Sequence, residues 1–438
     1  MSSTRRSLLT FPSPFCDYLY TMGKFDWRQI MPGLSPWNLA PDICPETRLL
    51  LGCARTCIDF EKSGQIKACI QENVSWMRLI KIAFHHRMMP LLYGTLSSTC
   101  PEYVPQTVLE LLHDHFRISA QRNQLLAGEL VTILTLFKMH DISVMSFKGP
   151  VLATFLYRNP AYRECGDLDL LIRKRDVPRA KNLLIAHGYH LPPRDAADRQ
   201  QAFIFKYKHS YNLFSKVTHV NVDLHWRFTS RAIPFGLDLD SLWKCLDPMS
   251  FAGTTVLSPP PDILLVLLCV HGAKHFNPWE RLIWICDVAK LIEIYQQMNW
   301  ERALGHADQL GSKRMLFVGI LLASALMEVS PPGEILRMAA TDRIARILAT
   351  QIGKRIFAEN RHATRYDRKA IPNLLFHLRM RERLRDRLST FLQLTHRKLS
   401  FDVTYRKSLK TLPLQAYLPL LSYTLLPGFD GLGSQFQE

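Results

Sequence analysis

Several familiar signatures are missing from this sequence. Its ten cysteines include no Cys-x-x-Cys pair, so a zinc ribbon or dithiol redox site is disfavoured. The one close pair, Cys53 and Cys57, has helical spacing and apolar neighbours, and reads as core thiols in a reducing cytoplasm. There is no glycine-rich or Walker-type phosphate loop, which disfavours a kinase or P-loop NTPase. No apolar run is long enough to span a bilayer. Arg5 and Arg6 precede a short apolar stretch, but Pro12, Pro14 and Asp17 interrupt it, and it is too weak for a signal peptide. Acidic residues are in short supply. Against 55 Lys and Arg stand 38 Asp and Glu, a formal charge of +17 that suits polyanions such as a triphosphate, RNA or an anionic membrane surface.

What is present centres on the stretch from Phe147 to Asp169, FKGPVLATFLYRNPAYRECGDLD. Lys148 and Gly149 form a sharp turn between two apolar runs, and Pro150 suits the first position of a helix running to Leu156. The free N–H groups at the start of such a helix attract phosphate. Arg163 precedes the acidic pair Asp167 and Asp169, and Leu170, Leu171 and Ile172 follow as a short buried strand. Residues at i and i+2 of a strand share a face, so the spacing predicts two neighbouring carboxylates there. Hard oxygen donors on one face suit Mg²⁺, which also coordinates phosphates. The segment VNVDLHWRF, from Val220 to Phe228, alternates with period two and predicts a strand with Asp223 and His225 on one face. Paired beside the Leu168–Ile172 strand, Asp223 would complete a three-carboxylate metal site of Asp167, Asp169 and Asp223.

The series FKG…LY…R…GDLDLL…VDLHW resembles a family of uncharacterised bacterial nucleotidyltransferases, often found in biosynthetic clusters, and more broadly the polymerase-beta-type nucleotidyltransferase superfamily. The turn here is Lys148-Gly149-Pro150, where the broad superfamily has Gly-Ser or Gly-Gly, and the gap to the acidic pair is longer. The resemblance implies an α+β fold, a mixed-sheet catalytic core with N-terminal and C-terminal helical domains. It implies ATP or another NTP as substrate, with Mg²⁺ (or Mn²⁺) held by Asp167, Asp169 and Asp223. Catalytic roles would fall to these and to Arg163, and nucleotide binding to Lys148, Gly149, Lys274, His225 and His275.

The expected organisation has five parts. Residues 1–40, with prolines at 12, 14, 32 and 36, form an irregular arm; 41–140 is helical, with one long helix from Pro105 to about His140. Residues 141–255 are the catalytic core, with strands over Ile142–Phe147, Ala202–Lys208 and Tyr211–Phe214 and a helix over Asp176–His187 closed by Gly188. Residues 256–330 are helical again, and the resemblance places them over the nucleotide: Lys274 would contact phosphate, and Asp287 would orient His271, His275 or Lys274. Trp279 and Trp284 read as core residues. Residues 331–438 are basic, with HLRMRERLRDRLSTFLQLTHRK at 377–398. That run reads as an amphipathic helix packed on its own protein in preference to a membrane or RNA surface.

The main functional expectation is transfer of a nucleoside monophosphate, AMP from ATP, to an acceptor hydroxyl on a sugar, small molecule, peptide or RNA end. The competing readings are an inactive transferase fold that binds RNA, and a scaffolding subunit with a partner protein of a biosynthetic cluster.

Overall fold

The computed structural model describes residues 44–55, 58–157, 159–195, 204–205, 208–229, 239–275, 277–357 and 370–401. The expected arm at 1–40 lies outside these residues, as does the chain beyond 401.

Five helices come first: α1 (Pro45–Gly52), α2 (Phe60–Ile70), α3 (Trp76–His86), α4 (Met89–Thr99) and the long α5 (Gln106–Met139). In α5 the buried positions Leu112, Ser119, Asn123, Leu126, Leu130, Ile133 and Phe137 fall at three- and four-residue steps or their multiples, the stripe that an α-helix turns toward a core. Helix α1 ends at Gly52, earlier than the Cys53–Cys57 spacing predicts. Cys53 caps it and is buried, while Cys57 lies outside the described residues.

The chain then builds a seven-stranded sheet: β1 (Val144–Ser146), β2 (Leu168–Ile172), β3 (Tyr189–His190), β4 (Ser210–Ser215), β5 (Asn221–His225), β6 (Asp247–Phe251) and β7 (Thr254–Ser258). Helix α6 (Gly149–Leu156) joins β1 to β2, α7 (Val177–Ala186) follows β2, and α8 (Leu239–Lys244) precedes β6. The strand order is β3-β4-β5-β2-β1-β7-β6. Strand β2 runs antiparallel to β1 and parallel to β5, and β1 runs parallel to β7. Gly188 takes a positive φ of 86° just after α7, as the sequence predicts. Of the segment expected as a strand over Ala202–Lys208, Ile204 and Phe205 are helical and Ile204 is buried against the sheet, while residues 202–203 and 206–207 lie outside the described residues. Aromatic and branched residues favour strands only where a neighbouring strand receives them, and burial decided otherwise here.

Strand alternation sorts the core into two layers. Leu168, Leu170 and Ile172 of β2, with Val222 and Leu224 of β5, pack on the C-terminal half of α5 and on α7. Leu171 and, from β1, Met145 face the other layer. Asp169 shares that second face with Leu171, so the period-two pattern turns it away from α5.

Helices α9 (Pro261–Lys274), α10 (Leu282–Ile294), α11 (Trp300–Gln309), α12 (Lys313–Met327), α13 (Gly333–Thr341) and α14 (Arg343–Phe357) form the rest of that layer with α1–α4. The basic 377–398 run, expected as one helix, divides into α15 (Ala370–Arg379) and α16 (Leu384–Phe401). The break is held from outside: Arg314 donates to the carbonyl oxygens of Arg379 at 2.8 Å and Arg381 at 3.2 Å. Among the described residues, no helix is long and apolar enough to cross a membrane.

Candidate active site

The site begins with a register. Parallel pairing of β2 with β5 sets Asp169 opposite Asp223 and Leu171 opposite His225. Both chains alternate, so Asp169, Asp223 and His225 emerge on one face. One ligand atom from each lies within 4.8 Å of the other two. Asp223 Oδ1 accepts a hydrogen bond from Asn212 Nδ2 of β4 at 2.6 Å, which fixes its rotamer. His225 Nε2 lies 3.0 Å from Asp169 Oδ1 and the ring is buried.

Lys148 completes this centre. It is the N-cap of α6, and its Nζ lies 2.9 Å from Asp169 Oδ2. Burial would raise the Asp169 carboxyl, but Lys148 and His225 outweigh it and hold it well below the usual carboxylate range. Gly149 follows with φ of 63°, and a Cβ there would come 3.3 Å from the carbonyl oxygen of Asp167. Glycine suits this position, because a side chain would strain the left-handed backbone and crowd that oxygen.

Asp167 sits just before β2 rather than within it, and it falls outside the group of three that converges. Burial first, then the Asp169 and Asp223 carboxylates, push its carboxyl up, against the opposing charges of Lys148 and Arg87. The two aspartates are thus tuned in opposite directions by one cluster of charges. Of the expected metal set of Asp167, Asp169 and Asp223, the last two converge with His225, and the charges of both act on Asp167.

The end of α9 covers the same face. Lys274 Nζ donates to the carbonyl oxygen of Phe228 at 3.1 Å and lies over the Phe228 ring. Burial and the charge of Lys148 push its ammonium down to about 8, with Asp169 and Asp223 pulling the other way. His275 is pushed down to about 3 by burial, Lys274 and Lys148, and it stacks on Trp284 with ring centres 4.5 Å apart. Burial likewise drives His271 well below the ordinary imidazole range. Lys148 pairs with Asp169, and the charge of Asp169 also acts on Lys274, His271 and His275.

Arg163 lies in a buried ion pair. Its Nε and Nη2 both donate to Asp287 at 2.8 Å, and Tyr157 donates its hydroxyl to the same carboxylate at 2.9 Å. Arg163 and Asp287 are both buried. This pair ties the segment before β2 to α10. Asp287, expected to orient His271, His275 or Lys274, orients Arg163 and Tyr157 instead. Asn123 on α5, which the sequence left without a role, donates to the carbonyl oxygens of Pro160 and Arg163, each at 2.8 Å, and accepts from the Cys165 amide at 3.2 Å. It braces the same segment. Its one legible signal was a polar residue at a core step of a long amphipathic helix.

The donor set fits a divalent cation. Two carboxylates and an imidazole nitrogen converge, and an ammonium already rests against Asp169. The two carboxylates are oxygen donors of the kind that suit Mg²⁺ and Mn²⁺.

No curated protein matches the chain. A family model described as an uncharacterised nucleotidyltransferase matches residues 72–328, which include the whole sheet and every site residue above. The chain belongs to this family of nucleotidyltransferases, with the α+β fold and the transferase activity that the family name carries.

Proposed function

We propose that the protein transfers a nucleoside monophosphate, AMP from ATP, to an acceptor hydroxyl or similar group and releases pyrophosphate. The observation that carries this is the register-locked convergence of Asp169, Asp223 and His225, faced by Lys148 and Lys274. A Mg²⁺ or Mn²⁺ ion held by Asp169, Asp223 and His225, with Asp167 beside it, would polarise the α-phosphate and lower the pKa of the acceptor hydroxyl. The chain's own residues do the rest. The acceptor oxygen attacks the α-phosphorus, and the bond from that phosphorus to the oxygen bridging to the β-phosphate breaks. Asp223, with one oxygen held by Asn212, offers the other to the ion, and Asp167, whose carboxyl is pushed up by burial, receives the acceptor's proton. The leaving oxygen carries the electron pair away on pyrophosphate. Lys148 and Lys274 supply fixed positive charge where negative charge builds up, and the α6 N-terminus offers its amides to the phosphates.

The test is to offer ATP labelled at the α- or the γ-phosphate to the protein with a cell extract and Mg²⁺. Transfer of the α-label alone, abolished in a normally melting Asp169→Asn variant, is expected. Transfer of the γ-label would make the protein a kinase. Undiminished transfer by Asp169→Asn would remove this cluster from the chemistry.

A further inference from the structure

Gly166, at the entrance to β2, is approached by the guanidiniums of Arg87 and Arg122, which the proposed chemistry has not used. Arg87 lies just past the end of α3, at φ 58° and ψ 41°. The amide of Met88 reaches back to the carbonyl oxygen of Ala83 at 2.8 Å, the pattern of a helix that ends through a left-handed residue. Glycine is favoured there, because a side chain strains this conformation. An arginine occupies it instead. Its two terminal nitrogens lie 3.4 Å from where a Cβ on Gly166 would stand. The guanidinium thus presents its two terminal nitrogens edge-on to the residue before Asp167.

Two more arginines approach from other elements. Arg281, the N-cap of α10, donates to the carbonyl oxygen of His85 at 3.1 Å. Its neighbour Leu282 donates its amide to His86 Nδ1 at 3.1 Å, so α3 and α10 are locked together at this point. Arg122 of α5 donates to the carbonyl oxygens of Gly166 at 3.4 Å and His219 at 3.0 Å. None of the three makes an ion pair with a carboxylate among the described residues. Glu280 and Glu164 act on Arg281 from a distance, and Glu164 is already held by His115 at 2.9 Å. Burial and the charge of Arg87 both make Arg281 easier to deprotonate, which is the sign of two like charges held near each other.

We propose that Arg87 and Arg281, with Arg122 behind them, form an anion subsite beside Asp167 that grips the pyrophosphate end of the nucleotide substrate. This rests on the nucleotidyl-transfer reading and extends it to residues of the α-helical layers. The direction follows from the geometry. Asp169 and Asp223 mark the reacting phosphate. The charges of Asp169, Asp223 and Arg87 all act on Asp167, and its carbonyl oxygen borders the Lys148-Gly149 turn. A phosphate chain laid along that turn leads from the acidic cluster to the arginines. Planar guanidiniums match phosphate oxygens in pairs, and the chain's several negative charges would neutralise cations that now repel. α3 and α10 each bring one arginine, so the subsite is complete only while the two helices are docked.

The test is calorimetry of inorganic pyrophosphate, ATP and AMP, each with Mg²⁺, against the parent, Arg87→Gly and Arg281→Gln. Arg87→Gly relieves the left-handed strain, so its Tm should equal or exceed the parent's. Both variants should bind pyrophosphate and ATP at least ~10-fold more weakly, the scale of one lost charge-assisted contact, and should keep the parent's AMP affinity. A parent that binds ATP and pyrophosphate, with variants that bind them equally well, would overturn the arginine subsite and leave nucleotidyl transfer standing. Equal losses for AMP would also overturn it, since the arginines would then not be reading the far phosphates. A parent that binds none of the three ligands would overturn both readings.

Discussion

Replacing Lys274 by methionine should make the ligand-free protein more stable at pH 7 while weakening its hold on nucleotide. The folded environment pushes the ammonium down to about 8 from its ordinary 10.5. A shift of that size corresponds to about 3 kcal/mol of penalty for keeping the charge, at about 1.4 kcal/mol per unit. The side chain keeps some contact with solvent, and the hydrogen bond to the Phe228 carbonyl is lost on substitution, so a net gain of about 1–2 kcal/mol is expected. The sign fixes the pH dependence. Below pH 8 both folded and unfolded lysine are charged, and the parent carries the whole penalty. Between 8 and 10.5 the unfolded chain binds more protons than the folded one, so the parent gains stability as pH rises. Above 10.5 both are neutral and the advantage of methionine is gone. Urea unfolding of both proteins at pH 7, 8, 9 and 10 measures this. A methionine variant less stable than the parent at pH 7, or a difference that ignores pH, would refute the placement of Lys274 as a strained cation. The same variant should lose ATP affinity while keeping that for adenosine, because the lost contact is to charge.

Two other predictions concern stability. Arg163→Met strands Asp287 as a buried carboxylate with only Tyr157 for a partner, and should cost about 3–5 kcal/mol; chemical denaturation checks it, and Arg163→Met with Asp287→Leu together should recover much of the loss. Stability should also fall as pH drops below about 6.5, where the unfolded chain protonates both imidazoles, whereas folded His275, held at about 3, and His271, held well below its ordinary range, resist. His271→Phe with His275→Phe should flatten the acid limb of a Tm-against-pH curve.

Much of the site could be read because strand alternation is a local rule. VNVDLHWRF turns Asp223 and His225 to one side whatever lies around it, and the glycine at 149 announces a turn. What the sequence did not give is register across strands. The Asp169–Asp223 pairing that draws His225 into the cluster depends on where two distant segments align. Arg163 and Asp287 are 124 residues apart, and nothing local shows that their side chains pair. Arg87 was hidden for the same reason: the meaning of an arginine after a helix lies in Gly166, which only the fold brings to it. At Ile204 and Phe205 the strand expectation failed differently, since a short apolar run suits a strand or a buried helical turn equally.

The central claim is that Asp169, Asp223 and His225 hold a divalent ion for a nucleotide, and a melting curve of the parent and of Asp223→Asn tests it most directly. Each is measured with chelator, and with excess Mg²⁺ plus a non-hydrolysable ATP analogue. The parent should melt higher with the ligands, because they bind the folded state alone; at about 100 times Kd the gain is about 2.7 kcal/mol. The asparagine variant relieves carboxylate repulsion, so it should melt at or slightly above the parent in chelator and lose most of the ligand-induced rise. A parent whose Tm ignores metal and nucleotide, or a variant that gains as much as the parent, would contradict the account.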